Sequence, residues 1–417
     1  MPSNLRVDPE RLWGMLMDTA AFGATPKGGI NRQTLTAQDG AVRAWLRREC
    51  ERLGCKVTID EVGNMFALRP GRQAELPPIA LGSHLDTQPT GGKFDGNLGV
   101  LGALEVVRTL VAAGYETNAP LVIVNWTNEE GARFAPAMLG SGVFAGVYAR
   151  AAADAVIDPE GVRFGDALDA LGWRGEAKAG AMQLSAYLEL HIEQGPILEA
   201  ERKRIGIVTG VQALRWFELA ITGRESHAGT TPMSRRADAF AACARTSMAI
   251  RSIAAAHAPA GVGTVGRVEV APNSPNVVPG FVLMTVDLRH HEDAALAAME
   301  EALHAAIACI AAEEGVRIEA KKLHDIAAVK FHADCIAAVR AAAETLGYPH
   351  LDIVSGAGHD AVHLARITPA AMIFIPCKDG LSHNEEESAT VVDCAAGAQV
   401  LLEAALALDA RLPLVGD

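Results

Sequence analysis

The sequence predicts an α/β protein, a covered sheet interrupted by an inserted α+β unit of ferredoxin-like order. Three observations carry this. The chain has 417 residues, half of them apolar, which is more than one core usually holds. Its first third alternates apolar strand patterns with helical ones. Its middle runs in β-α-β-β-α-β order.

The elements follow in turn. Pro9 to Phe22 has helical spacing, with Leu12, Met15, Leu16 and Thr19 on one side. Asp39 reads as the N-cap of a helix through Leu53, and Gly54 as its stop. Lys56 to Asp60 and Met65 to Leu68 read as short strands around the turn at Gly63-Asn64. Pro78 to Ser83 and Leu121 to Trp126 read as buried strands, with a helix from Leu98 to Ala113 between them. In the middle, strands are expected at Arg215–Thr222, Gly263–Val270, Phe281–Arg289 and Val316–Lys322. Helices are expected at Ser234–Ala256 and Glu292–Glu314. The expected domains are a discontinuous one over 1–212 and 330–417 and an insertion over 213–329.

Charge narrows the function. A net charge of −13 opposes nucleic acid or an anionic membrane as the main partner, but allows a small anionic substrate. The seven cysteines are odd in number and lack zinc-ribbon spacing, so reduced thiols and a cytoplasmic location are expected. Met1 to Gly14 carries charges throughout, unlike a signal peptide, and no apolar run reads as long enough to cross a bilayer.

Chemistry-bearing residues cluster after predicted strands, where α/β sheets build their sites. His84 and Asp86 alternate after the first buried strand. A carboxylate so placed can hold an imidazole in one tautomer. Asp95 follows between glycines, just before a helix. Glu129 and Glu130 follow Leu121–Trp126, which suits one ligand and one base. His191 lies in Glu189-Leu190-His191-Ile192-Glu193-Gln194, and His383 follows a strand at Met372–Pro376. Each segment alone also fits a structural part: a cap, a solvated turn, a packed strand residue. Together they give imidazoles and carboxylates suited to two divalent ions bridged by one carboxylate. His359 and His363 are four apart, as in a zincin helix, but the general-base glutamate is missing. His363 is expected to pack and His359 to face a ligand.

The segments His84-x-Asp86, Gly92-Lys93-Phe94-Asp95-Gly96, Asn128-Glu129-Glu130-Gly131, His191 to Pro196, Ser226 to Met233 and Ser382 to Glu385 occur in an order that resembles the M20 metallopeptidase superfamily. The resemblance extends over about residues 10–410. It is closest to the hydantoinase/carbamoylase branch, which includes N-carbamoyl-L-amino acid hydrolases, β-ureidopropionases and allantoate amidohydrolases. The related peptidases generally carry a carboxylate where this chain has His191.

The resemblance implies a mixed-sheet di-metal hydrolase domain with an inserted lid/dimerisation domain, hence a homodimer. It implies two divalent ions, Zn²⁺ first, with Mn²⁺, Co²⁺ or Ni²⁺ as alternatives. One ion would take His84, Asp95 and His191; the other Asp95, Glu130 and His383. Asp86 would orient His84, and Glu129 would be the general base. His227 would reach the developing oxyanion, carried there by closure or from the other subunit. Gln194, Gln212, Asn276, Arg289, Gly358 and His359 would contact substrate. Arg289 lies on the mixed face of its strand, where a guanidinium can grip a carboxylate or pair with Asp287. The implied reaction cleaves the carbamoyl C–N bond of an N-carbamoyl-L-amino acid or related ureido acid. An aminopeptidase or deacylase is the alternative.

Overall fold

The computed structural model describes residues 4–412. The chain forms two compact units, one running to Thr209 and resuming at Lys330, the other Gly210–Val329.

The first unit is built on a mixed sheet. From one edge its strands run Lys56–Ile59, Met65–Arg69, Leu121–Trp126, Ile79–His84, Ala186–Ile192, Ala370–Ile375 and then Ile205–Val211. The four strands from Leu121–Trp126 to Ala370–Ile375 are parallel, and their neighbours on either side antiparallel. Every residue of these four strands is buried. Near-continuous apolar runs are what two-sided burial demands. Three of these strands aim their C-terminal ends at one place, with His84 and His191 in the last two positions of theirs. The helices Asn97–Ala112 and Val391–Asp409 pack on each other and on the sheet.

The expectation that no apolar run is long enough to cross a bilayer is corrected by two helices. Asp293–Glu314 and Val391–Asp409 are both long and apolar enough to span a bilayer by length and composition. Alanine-rich helices reach that threshold while packing on a sheet. Leu296, Met299, Leu303, Ile307 and Ile310 of the first face a core, and most of the second is buried.

Two helix starts also differ. The helix expected to start at Asp39 runs Ala37–Arg52, and Thr36 caps it by accepting from the Asp39 N–H. Asp39 is instead buried against the Arg43 guanidinium at 2.9 Å, and its carboxylate takes the Leu35 N–H. The helix expected from Ser234 begins at Ala239, capped by Asp238. The Arg236 guanidinium holds the preceding turn open by donating to Thr231 O and Ala228 O.

The second unit is a four-stranded antiparallel sheet in the order Arg317–Ile326, Ala213–Thr222, Phe281–His290, Val262–Ala271. Helices Ala239–Ala256 and Asp293–Glu314 connect and cover it. Phe281–His290 alternates strictly, with Val282, Met284, Val286 and Leu288 in the core. Arg317–Ile326 runs four residues beyond the expected end at Lys322, because Leu214 still pairs with Ile326. Its mostly exposed side chains leave no alternation to read.

Candidate metal centre

Asp95 is the hub of the site. Its Oδ1 lies 3.1 Å from His191 Nε2 and 3.5 Å from His84 Nε2. Its Oδ2 lies 3.6 Å from His383 Nε2, which is itself 3.3 Å from Glu130 Oε2. Two donor groups therefore form, His84–Asp95–His191 and Asp95–Glu130–His383, each able to hold an ion and sharing one carboxylate. These are the residues the sequence pattern groups.

The backbone sets both buried imidazoles. His84 Nδ1 donates to Asp86 O and His191 Nδ1 to Ile192 O, each at 2.9 Å. The partners fix that tautomer and leave each Nε2 lone pair facing Asp95. Gly96 makes this close approach possible. It sits at φ +65°, and any Cβ there would run into the His84 ring. Its N–H donates to His191 Nε2 at 3.1 Å. The donor chemistry, the tautomers and this cradle all fit divalent cations.

The expected role of Asp86 changes. Its carboxylate is 3.8 Å from His84 Nδ1, too far for the orienting hydrogen bond, which its own carbonyl supplies. Its two oxygens instead accept the N–H groups of Glu129 and Glu130, both at 3.3 Å. Asp86 thus positions the paired glutamates. Glu129 Oε2 then stands 3.5 Å from His84 Nε2.

Gln194, already named from the sequence, and four side chains without an obvious sequence signal, Ser382, Gln88, Glu387 and Glu189, complete the site. Gln194 Nε2 and Ser382 Oγ donate to Asp95 Oδ2 at 2.8 and 2.7 Å. Gln88 donates to Glu130 Oε2 at 2.8 Å. Glu387 Oε1 accepts the N–H groups of Phe94 and Asp95, at 2.9 and 3.1 Å, so it aims the hub from below. Glu189, buried beneath, accepts from Ser83 Oγ, Tyr187 Oη and the Ala361 N–H. Gln194 is expected to contact substrate; its Nε2 donates to Asp95 and Ser382, while its buried Oε1 has no hydrogen-bond partner among the described residues.

Burial lowers both His84 and His191, but the surrounding carboxylates, chiefly Glu129 for His84 and Asp95 for His191, outweigh it and raise them, His84 well above its usual value. Burial pushes Asp95 up, but the His191 and His84 imidazoles outweigh it and hold the carboxyl well below its usual range. Burial drives Glu129 and Glu130 well above theirs. Burial and then the nearby Asp95 bring Glu387 to about 7. His359 is pressed well below its usual value by burial and then by His191. It stacks edge-on to His191 at 4.6 Å and bonds Ser355 Oγ at 3.0 Å. Gly358 precedes it, beside the Met138 thioether. His363 packs against Tyr148, as expected, with neither ring nitrogen partnered.

The remaining predicted residues belong to the second unit. His227 is exposed on Ser226–His227, and its Nδ1 accepts from the N–H groups of Gly229 and Thr230. That strand pairs with Val277–Val278, which sets Asn276 O on the Ala228 N–H. Arg289 is engaged with both oxygens of Asp287, at 2.8–3.0 Å. Gln212 lies at the start of this unit, half-buried.

The model for peptidase family M20/M25/M40 matches residues 80–407. The chain belongs to this family. The M20 chain is also similar, end to end, to members of the hydantoinase/carbamoylase branch. A solved amidase of the hydantoinase/carbamoylase family from Burkholderia multivorans is 50% identical, covers 99% of this chain and 100% of its own, and superposes with a TM-score of 0.95. An N-carbamoyl-L-amino-acid amidohydrolase from Rhizobium meliloti is 49% identical, over 97% of both chains. A ureidoglycolate hydrolase from Oryza sativa is 34% identical, over 98% of this chain and 85% of its own. M20 enzymes depend on metal, and the two donor groups at Asp95 are candidates to hold it.

Proposed function

We propose that this chain hydrolyses the carbamoyl C–N bond of N-carbamoyl-L-amino acids, giving the amino acid, ammonia and carbon dioxide. The observation that carries the reading is Asp95, split between two donor groups with Glu129 beside them. The relatives' activity gives the substrate class. When bound, two divalent cations supply Lewis acidity and make water easier to deprotonate. Zn²⁺ fits the mixed imidazole and carboxylate donor set best, with Mn²⁺, Co²⁺ and Ni²⁺ as substitutes.

The chain's own residues do the rest. Glu129 takes a proton from the attacking water and passes it to the leaving nitrogen. Asp86 keeps Glu129 in place through its backbone. His227 donates to the oxygen that gains charge. Asn276 and Arg289 read the substrate carboxylate, Arg289 by exchanging Asp287 for it. Gln212, Gly358 and His359 complete the contacts. The second unit acts as lid and dimer interface, and the chain works as a cytoplasmic homodimer.

Ammonia release from N-carbamoyl-L-amino acids, N-carbamoyl-β-alanine, allantoate and ureidoglycolate, with dipeptides alongside, tests this. Turnover of N-carbamoyl-L-amino acids is expected to dominate. Preference for allantoate or ureidoglycolate would move the substrate to a ureido acid. Cleavage of dipeptides alone would refute the carbamoyl reading in favour of an aminopeptidase.

A further inference from the structure

We infer that a second site on the first unit binds a small anion of the phosphate class, inorganic phosphate or a phosphate monoester. The site is a cavity of about 350 Å³. Arg202, Lys203, Arg204 and Lys378 line it, against only Glu199 and Asp393. Asp393 is paired with Arg204, and Glu199 is bound to a backbone amide, so three cations face one unpaired carboxylate. Glu199 Oε2 accepts the Asp379 N–H at 2.8 Å, and Asp393 Oδ1 accepts from Arg204 Nε at 3.1 Å. The side chains of Arg202, Lys203 and Lys378 have no acidic partner among the described residues. Three uncommitted cations around one cavity are unexpected in a chain of net charge −13. A dianion satisfies all of these at once. The volume exceeds one phosphate and leaves room for a small ester.

The cavity adjoins the metal centre's supports without sharing a ligand. The Lys378 N–H donates to Ser388 O at 2.8 Å, closing the base of the loop that carries Ser382, His383 and Glu387. Within that loop Gly380 abuts the Gly195-Pro196 backbone, directly after Gln194. An anion spanning Lys203 and Lys378 ties the segment after the short helix Ile197–Ala200 to the base of the His383 loop.

The test titrates the metal-loaded enzyme calorimetrically with inorganic phosphate and, separately, with glycerol phosphate at constant ionic strength. The K203E/K378E variant is run beside it, with K203Q as a milder change. Wild type should bind at least one of the two anions, and K203E/K378E should weaken that binding by about tenfold or more. Metal content and phosphate-free turnover should stay unchanged. Hydrogen exchange over residues 378–388 should slow on anion binding in wild type only. Which anion binds more tightly assigns the source. Equal affinity in wild type and both variants would put the anion elsewhere, including the metals, and would overturn the inference. So would absence of binding by either anion.

Discussion

The two halves of the candidate centre are built differently. His84 and His191 end fully buried strands, and each side chain is 1% exposed. His383 sits on a loop at φ +54°, with its side chain 51% exposed. The buried half is held by sheet pairing and by backbone carbonyls. The open half is held by hydrogen bonds from Gln88, Ser382 and Gln194. A rigid ligand set keeps an ion, whereas one on a loop can exchange it and admit substrate. Asp95 belongs to both halves, so it links a fixed position to an adjustable one.

Breaking the link should have the largest effect. Asp95→Ala should abolish turnover and remove metal from both positions, read by elemental analysis. Retention of two ions would show that Asp95 does not bridge. Glu129→Gln should keep the metals but slow kcat by roughly 10²–10⁴-fold, the usual range for a lost acid–base group. An unchanged rate would remove Glu129 from the chemistry. Glu387→Gln, which touches no proposed metal position, should cost about 10–100-fold in metal affinity, as loss of a ligand's support usually does. Equal affinity in variant and wild type would mean that the Phe94 and Asp95 amides do not need its charge.

The smallest effect separates burial from ligation. Burial lowers His363 to about 4, and no hydrogen bond compensates. The unfolded chain takes up this proton below about pH 6.5, and the folded chain only near pH 4. Stability from the neutral ring is therefore present above pH 6.5 and is lost as pH falls toward 4. The loss is about 3 kcal/mol by pH 4. His363→Leu should shed that part of the acid sensitivity, seen as a flatter Tm against pH. Parallel Tm curves for variant and wild type would contradict it.

How much was legible follows the same division. His84 and His191 lie at the ends of apolar parallel strands, and Asp95, Glu130 and His383 in loops that follow such strands, so their positions can be taken from local pattern. The supports cannot. Ser382 meets Asp95 across 287 residues of sequence. Glu387 closes the run Glu385-Glu386-Glu387, which reads as a solvated surface; only the fold turns its third member inward. Spacing and the resemblance both assign the Asp86 carboxylate to His84, because a two-residue offset does not tell a carboxylate from the carbonyl of the same residue. The helix starts at Ala239, after the Asp238 cap, because Met233–Arg235 forms a separate 3-10 turn that ends in extended Arg236.

The most direct test of the split centre is metal content against chelator concentration. The purified chain should hold two ions and lose them in two steps, the first from the His383 half, with ammonia release falling in that step. Loss of both ions in one step, or a single ion per chain at saturation, would contradict a centre made of one fixed and one adjustable half.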